Sequence, residues 1–66
     1  MTITQLKYAL AIAEHKNFTK AAEKCFVTQP TLSTQIQKLE DELDIIIFDR
    51  GKKPIELTDV GRKIVI

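Results

Sequence analysis

The stretch that decides the fold is FVTQPTLSTQIQKLEDEL, residues 26–43. Its opening is unusual for a helix. Thr28, Gln29, Thr31, Ser33, Thr34, Gln35 and Gln37 are uncharged hydrogen-bonding residues, where a helix built for stability alone would use Ala, Leu, Glu and Lys. Thr28 reads as an N-cap, and Pro30 falls in the first turn, where its missing N–H costs nothing. At about 100° per residue, Leu32, Ile36, Leu39 and Leu43 form a narrow apolar stripe. Opposite it lie Pro30, Thr34, Gln37, Lys38 and Asp41, with Gln29 and Ser33 on one shoulder. The spacing predicts a helix that buries one side and presents a polar side whose N-terminal half is uncharged. The acidic run EDELD, residues 40–44, marks the far end and is expected to face away from any polyanion.

Upstream, TQLKYALAIAEH, residues 4–15, predicts a first helix with Thr4 as N-cap. Ile3, Leu6, Leu10 and Ala13 keep helical spacing on one face, which Ala9 widens. Tyr8 and Ile12 lie on another side, so the apolar arc is broader than one neighbour requires. It would meet a later helix of the chain, a second subunit or a missing segment. His15 suits the helix C-terminus, where a cation complements the dipole. Asn17 is a good N-cap for a second helix from about Phe18 to Cys25. Its face of Phe18, Ala21, Ala22 and Cys25 carries paired small residues that admit another helix closely. Cys25 is expected to be a core thiol.

Downstream the pattern changes to strands. Ile45 to Phe48 are β-branched and aromatic, Ile55 and Leu57 flank Glu56 with period two, and the turn-rich tip DRGKKP between them holds Arg50, Lys52 and Lys53. This predicts a small hairpin, with Pro54 at an edge or strand start. Thr58 then reads as the N-cap of a fourth helix, with Asp59 in its first turn and Val60, Ile64 and Val65 apolar. That helix stops mid-pattern at residue 66 without a C-cap, so the sequence is expected to be a fragment cut inside it.

The 66 residues allow one domain with a thin core. The apolar runs YALAIA and IIIF are far too short to span a bilayer, and Lys7 interrupts any signal-peptide pattern. One Cys and one His exclude a disulfide framework and a multi-ligand metal site within a single chain. A reducing, cytoplasmic location fits, with no cofactor and no metal. Net charge is only +1, yet its placement is uneven. Residues 1–39 hold five Lys and two acids, residues 40–49 five acids, and residues 50–66 five basic residues and two acids. Two basic segments flank an acidic one, and a field follows placement rather than the sum.

Two helices joined by a tight turn, the second polar on its outer face, make a helix-turn-helix, and a cationic hairpin after it makes the winged variety. The predicted fold is therefore mostly α: a three-helix core, a short two-stranded wing and the start of a fourth, linker helix. It forms one domain over residues 1–66, with the motif at about 18–37, the wing at about 46–57 and the truncated helix at 59–66. An α-helix fits the major groove of B-DNA, where base edges offer a readable donor and acceptor pattern. Reading it takes side chains that both donate and accept, which the opening stretch supplies. A helix N-terminus also turns free N–H groups toward phosphate. Arg50, Lys52 and Lys53 can reach phosphates or the neighbouring minor groove, and Lys20 and Lys24, on the outer face of the second helix, can meet the backbone.

NFTKAAEKCFVTQPTLSTQIQKLEDELDIIIFDR, followed by LTDVG, resembles the N-terminal domain of the LysR-type transcriptional regulators. The shared pattern is an aromatic residue, paired Ala, Ser/Thr-Gln-Pro at the start of the recognition helix, an Ile and Leu stripe, Leu-Glu-x-x-Leu, Leu/Ile-Phe-x-Arg and Leu-Thr-x-x-Gly. AEHKNF, VTQPTLSTQIQKLEDEL and Cys25 before the turn are similar to the branch of hydrogen-peroxide-inducible activators. The resemblance implies sequence-specific binding of a double-stranded operator half-site. Gln29, Pro30 and Ser33 match groove-facing positions. Position 34, often Arg in relatives, is Thr34 here, which removes one charged contact. These four are the expected base-reading residues. Lys20, Thr28, Thr31, Gln37, Lys38, Arg50, Lys52 and Lys53 are the expected backbone contacts, Arg50 matching a frequent wing arginine. The resemblance also implies a homo-oligomer built through the fourth helix and an absent effector domain. The peroxide-sensing cysteines of that branch belong to the absent domain, so Cys25 is not cast as a sensor. The glycine usual at a helix-turn-helix turn is replaced near Phe26.

A second reading is a winged-helix protein-interaction module that never touches DNA, marked by a protein affinity that survives salt. An enzyme is disfavoured, because no nucleophile, base and orienting group come together and so small a scaffold has little room for a pocket.

Overall fold

The computed structural model describes residues 1–65. The elements run α1 (Ile3–His15), α2 (Phe18–Lys24), α3 (Gln29–Leu43), β1 (Phe48–Asp49), β2 (Glu56–Leu57) and α4 (Asp59–Val65). Helices α1, α2 and α3 pack on one another, and α4 lies against α1 and β2. The strands pair antiparallel, with Phe48 opposite Leu57 and Asp49 opposite Glu56. This is the expected winged helix-turn-helix. The expected extension of the fourth helix to residue 66 lies outside the described residues.

The third helix forms as its sequence requires. Thr28 caps it, its side chain accepting from the Thr31 N–H, and Pro30 sits in the first turn. Leu32, Ile36 and Leu39 are fully buried, and Leu43 packs against the same core. Paired Ala21 and Ala22 are buried too, which lets α2 approach its neighbours closely. Asn17 caps α2 by accepting from the Lys20 N–H. Cys25 departs from expectation. It closes α2 as C-cap and is half-buried rather than part of the core, because the chain has already left the helix there and turns toward Phe26.

Helix α1 corrects two expectations. Its N-cap is Thr2, not Thr4: Thr2 and Gln5 form a reciprocal capping box, the pairing that Thr-x-x-Gln favours. Its buried face is Gln5, Ala9 and Ile12, with Tyr8 and Ala13 partly buried. The expected stripe does not form the core, since Ile3 is 77% and Leu10 46% exposed. Small Ala9 permits closer helix contact than Leu10 would. Gln5 tolerates burial because its amide oxygen accepts from the Thr2 N–H at 3.1 Å and its amide nitrogen donates to Gln35 at 3.3 Å. A buried polar group with its hydrogen bonds made carries little penalty.

The hairpin is shorter than expected. Ile45 to Ile47 do not join the sheet, because their hydrogen-bonding groups are spent elsewhere. The Glu40 carboxylate accepts from the N–H groups of Ile47 and Phe48 at 2.8 and 3.3 Å. The Ile47 carbonyl accepts from the Thr58 N–H at 2.9 Å. Thr58 in turn receives the Gly61 N–H at 2.9 Å, as an N-cap does. A Cβ at Gly61 would come within 2.9 Å of the Ile47 backbone, so only glycine lets α4 seat against the start of the wing.

Among the described residues, three non-glycine positions adopt left-handed backbone: Lys16, Phe26 and Asp44, with φ of 54°, 59° and 54°. Lys16 and Asp44 end α1 and α3 as C-caps. Phe26 occupies the turn between α2 and α3, where glycine is usual, and the residue is 94% exposed.

Candidate nucleic-acid interface

The N-terminal half of α3 is held from one side only. Leu32, Ile36 and Leu39 anchor it, and the opposite side stays open. Gln29, Pro30 and Thr34 are exposed, and Ser33 is half-buried on the shoulder. All four expected base-reading residues therefore share one accessible surface. Gln29 donates from its amide to the Ser33 hydroxyl at 2.6 Å, and the Thr28 hydroxyl donates to Thr31 at 2.9 Å. These exposed, neutral pairs lie in water and cost little to exchange for another partner. Each group can both donate and accept, apart from Pro30, which offers apolar surface only.

The expected backbone contacts distribute less evenly. Thr28, Thr31, Gln37 and Lys38 are exposed along α3, and Lys20 is exposed on α2. Gln37 donates to Asp41 at 3.0 Å, so the exposed acids of the far end begin directly beyond it. Lys52 and Lys53 are exposed at the wing tip. Lys52 pairs with Glu56 at 3.4 Å, an exposed contact of little energy.

Arg50 has partners that its expected phosphate contact did not include. Its guanidinium donates to Glu40 at 3.1 Å and lies over the Phe18 ring, 5.1 Å from the centroid. Phe18 meets Phe48 edge-to-face, with ring centroids 6.1 Å apart. Glu40 is only 3% exposed, so the acidic run does not face outward as a block. The position of Glu40, four residues after Ile36, sets it on the edge of the apolar stripe, and that was the signal in the sequence for its burial.

Between α3 and the wing runs a cleft of about 300 Å³ bordered by Phe18, Gln29, Ser33, Arg50 and Ile55. A neighbouring cleft of about 420 Å³ continues past Lys16 and Thr19 to Lys52 and Lys53. Neutral hydrogen-bonding groups thus line one end of a continuous surface, and cations the other. Among the described residues, no helix is long and apolar enough to cross a membrane, and no group of three His, Cys, Asp or Glu side chains could hold a metal.

Comparison with known proteins accords with this geometry. Residues 3–62 match the model of the bacterial regulatory helix-turn-helix proteins of the lysR family. The chain is 46% identical over 65 residues to the DNA-binding transcriptional dual regulator OxyR of Escherichia coli K12, covering 98% of this chain and 21% of that protein. It is 46% identical over 61 residues to the regulator BenM of Acinetobacter baylyi, covering 92% of this chain and 20% of BenM. The chain thus spans about a fifth of the length of these curated relatives. Among solved structures, the BenM DNA-binding domain in complex with catB site 1 DNA superposes with a TM-score of 0.95 at 43% identity, over 98% of this chain and 70% of that one. A full-length OxyR variant from Pseudomonas aeruginosa superposes with a TM-score of 0.92 at 51% identity, over 98% of this chain and 22% of that one. With both the family pattern and the winged architecture matched over nearly its whole length, the chain belongs to the lysR family of bacterial regulatory helix-turn-helix proteins.

Proposed function

We propose that this chain is the sequence-specific DNA-binding domain of a bacterial transcriptional regulator. The N-terminal half of α3 enters the major groove. Gln29, Ser33 and Thr34 hydrogen-bond to base edges, and Pro30 supplies apolar contact to a base methyl group. Thr28, Thr31, Gln37, Lys38 and Lys20 hold the phosphate backbone, which fixes register without reading sequence. Lys52 and Lys53 at the wing tip meet the backbone or the adjoining minor groove.

The observation that carries this reading is the placement of Gln29, Ser33 and Thr34 together on the open side of a helix whose other side is pinned by Leu32, Ile36 and Leu39. It is supported by kinship to BenM, whose DNA-binding domain is solved on catB and benA sites, and to CbnR, whose domain is solved with DNA. Because relatives are about five times longer, we assign homo-oligomerisation through α4 and an effector domain to the whole regulator. No catalytic role is assigned, and the cell compartment is the bacterial cytoplasm. Selection of random duplexes on the purified protein, at two salt concentrations, tests the reading. A recurrent half-site enriched at both is expected. Recovery of unrelated sequences that vanish at the higher salt would leave only charge-driven binding.

A further inference from the structure

We propose that Glu40 and Arg50 form a latch that positions the wing for DNA, and that Arg50 is a positioning residue rather than a phosphate contact. The inference rests on the DNA-binding reading above.

Four side chains from separate elements meet here. Glu40 comes from the buried edge of α3, Phe18 from the start of α2, Phe48 from β1, and Arg50 from the turn that follows β1. The Glu40 carboxylate is almost fully buried and has both oxygens occupied. Oε2 accepts from the backbone of Ile47 and Phe48, and Oε1 accepts from Arg50. The guanidinium pairs with that carboxylate and also lies over the Phe18 ring. Its side chain is 43% exposed, so it forms part of the surface, but its charge is matched by Glu40. A cation already neutralised by a buried carboxylate releases few counterions on meeting a phosphate.

The latch sits where the wing leaves the core. With only two residues in each strand, the hairpin has little ladder to orient it. The tip at Lys52 and Lys53 is instead directed by what holds its root. Arg50 also borders the cleft that contains Gln29 and Ser33, so a shift of the wing changes the distance between groove-reading and backbone-holding groups. An arginine is needed for this: its planar head can bond a carboxylate and stack on an aromatic ring together, which lysine does not reproduce.

The test compares Glu40→Gln, Arg50→Lys and Lys53→Ala for duplex binding across a salt series. Gln at position 40 keeps an oxygen for the Ile47 and Phe48 N–H groups but turns an amide donor toward Arg50. If Arg50 touches phosphate, removing the acid frees its charge, so Glu40→Gln binds as tightly as the parent or tighter, and Arg50→Lys loses little. The latch predicts the opposite sign: both variants bind about tenfold more weakly, the order of one or two lost phosphate contacts. It also predicts that Glu40→Gln costs less in a Lys53→Ala background than in the parent, because part of its effect passes through that wing cation. Full additivity, or unchanged or tighter binding by Glu40→Gln, overturns it. A readout without DNA separates this from the functional reading. Backbone amide relaxation of residues 50–53 and 55 should show increased mobility in Glu40→Gln, and in Arg50→Lys should the buried variant fail to fold. An equally rigid tip in the folded variant refutes the latch even if the protein binds no duplex at all.

Discussion

The two ends of α3 use similar chemistry for opposite purposes. At the N-terminal end, Gln29 and Ser33 bond to each other in the open. At the C-terminal end, Glu40 is buried and bonds to backbone and to Arg50. Both are polar groups with satisfied hydrogen bonds. The exposed pair can be given up to a base edge at little cost, because water already competes for it. The buried carboxylate cannot, since an unpaired acceptor there would lose several kcal/mol or more. One helix therefore offers exchangeable bonds at one end and fixed bonds at the other, and the apolar stripe between them holds both in register.

Removing that stripe should disturb both ends of α3 most. Leu32→Ala deletes a fully buried side chain and should cost about 2–5 kcal/mol, close to the whole stability of so small a core. The expected melt lies near or below room temperature. A cooperative melt unchanged from the parent would show that α3 is anchored elsewhere. Gly61→Ala comes next. The added Cβ meets the Ile47 backbone, which also hydrogen-bonds Thr58, so overpacking of about 1–3 kcal/mol is expected. A drop in thermal midpoint checks it, and the fixed end of α3 should suffer more than the open end because Ile47 is bonded to Glu40.

Smaller effects sharpen the contrast without unfolding the protein. Lys53→Ala should weaken binding to all duplexes alike and flatten the slope of log affinity against log salt by about 0.9, with an unchanged melt. Asp44→Gly relieves left-handed backbone at the C-cap of α3 and should stabilise by about 1 kcal/mol. Calorimetry should show the midpoint rise while half-site preference stays the same, since Asp44 lies at the end of α3 remote from Gln29.

Much of this was legible in the sequence because α3 carries redundant signals. Thr28, Pro30 and the spacing of Leu32, Ile36 and Leu39 all point to one helix in one orientation. Helix α1 lacks that redundancy. Its apolar residues cover most of its circumference, so periodicity favoured the bulky Ile3 and Leu10, whereas packing selected Ala9, Ile12 and a capped Gln5. Thr2 and Gln5 stand at capping-box spacing, a stronger start signal than Thr4 alone offers. The hairpin was read from β-branched residues, but the length of its strands depended on where Glu40 and Thr58 send their hydrogen bonds, which no local pattern reports. At the interface, residue types located the open face of α3, whereas the partners of Arg50, Glu40 and the more distant Phe18, are separated from it in the chain and became visible only in three dimensions.

In the proposed function the open face of α3 reads bases while its buried face holds the fold. The most direct measurement is a titration of the parent and Gln29→Ala against the selected half-site and a scrambled duplex of the same composition and length, with melts run in parallel. A loss of about 1–3 kcal/mol on the half-site is expected, with no comparable loss on the scrambled duplex and an unchanged melt. Equal binding of both proteins to both duplexes, with the fold intact, would contradict it.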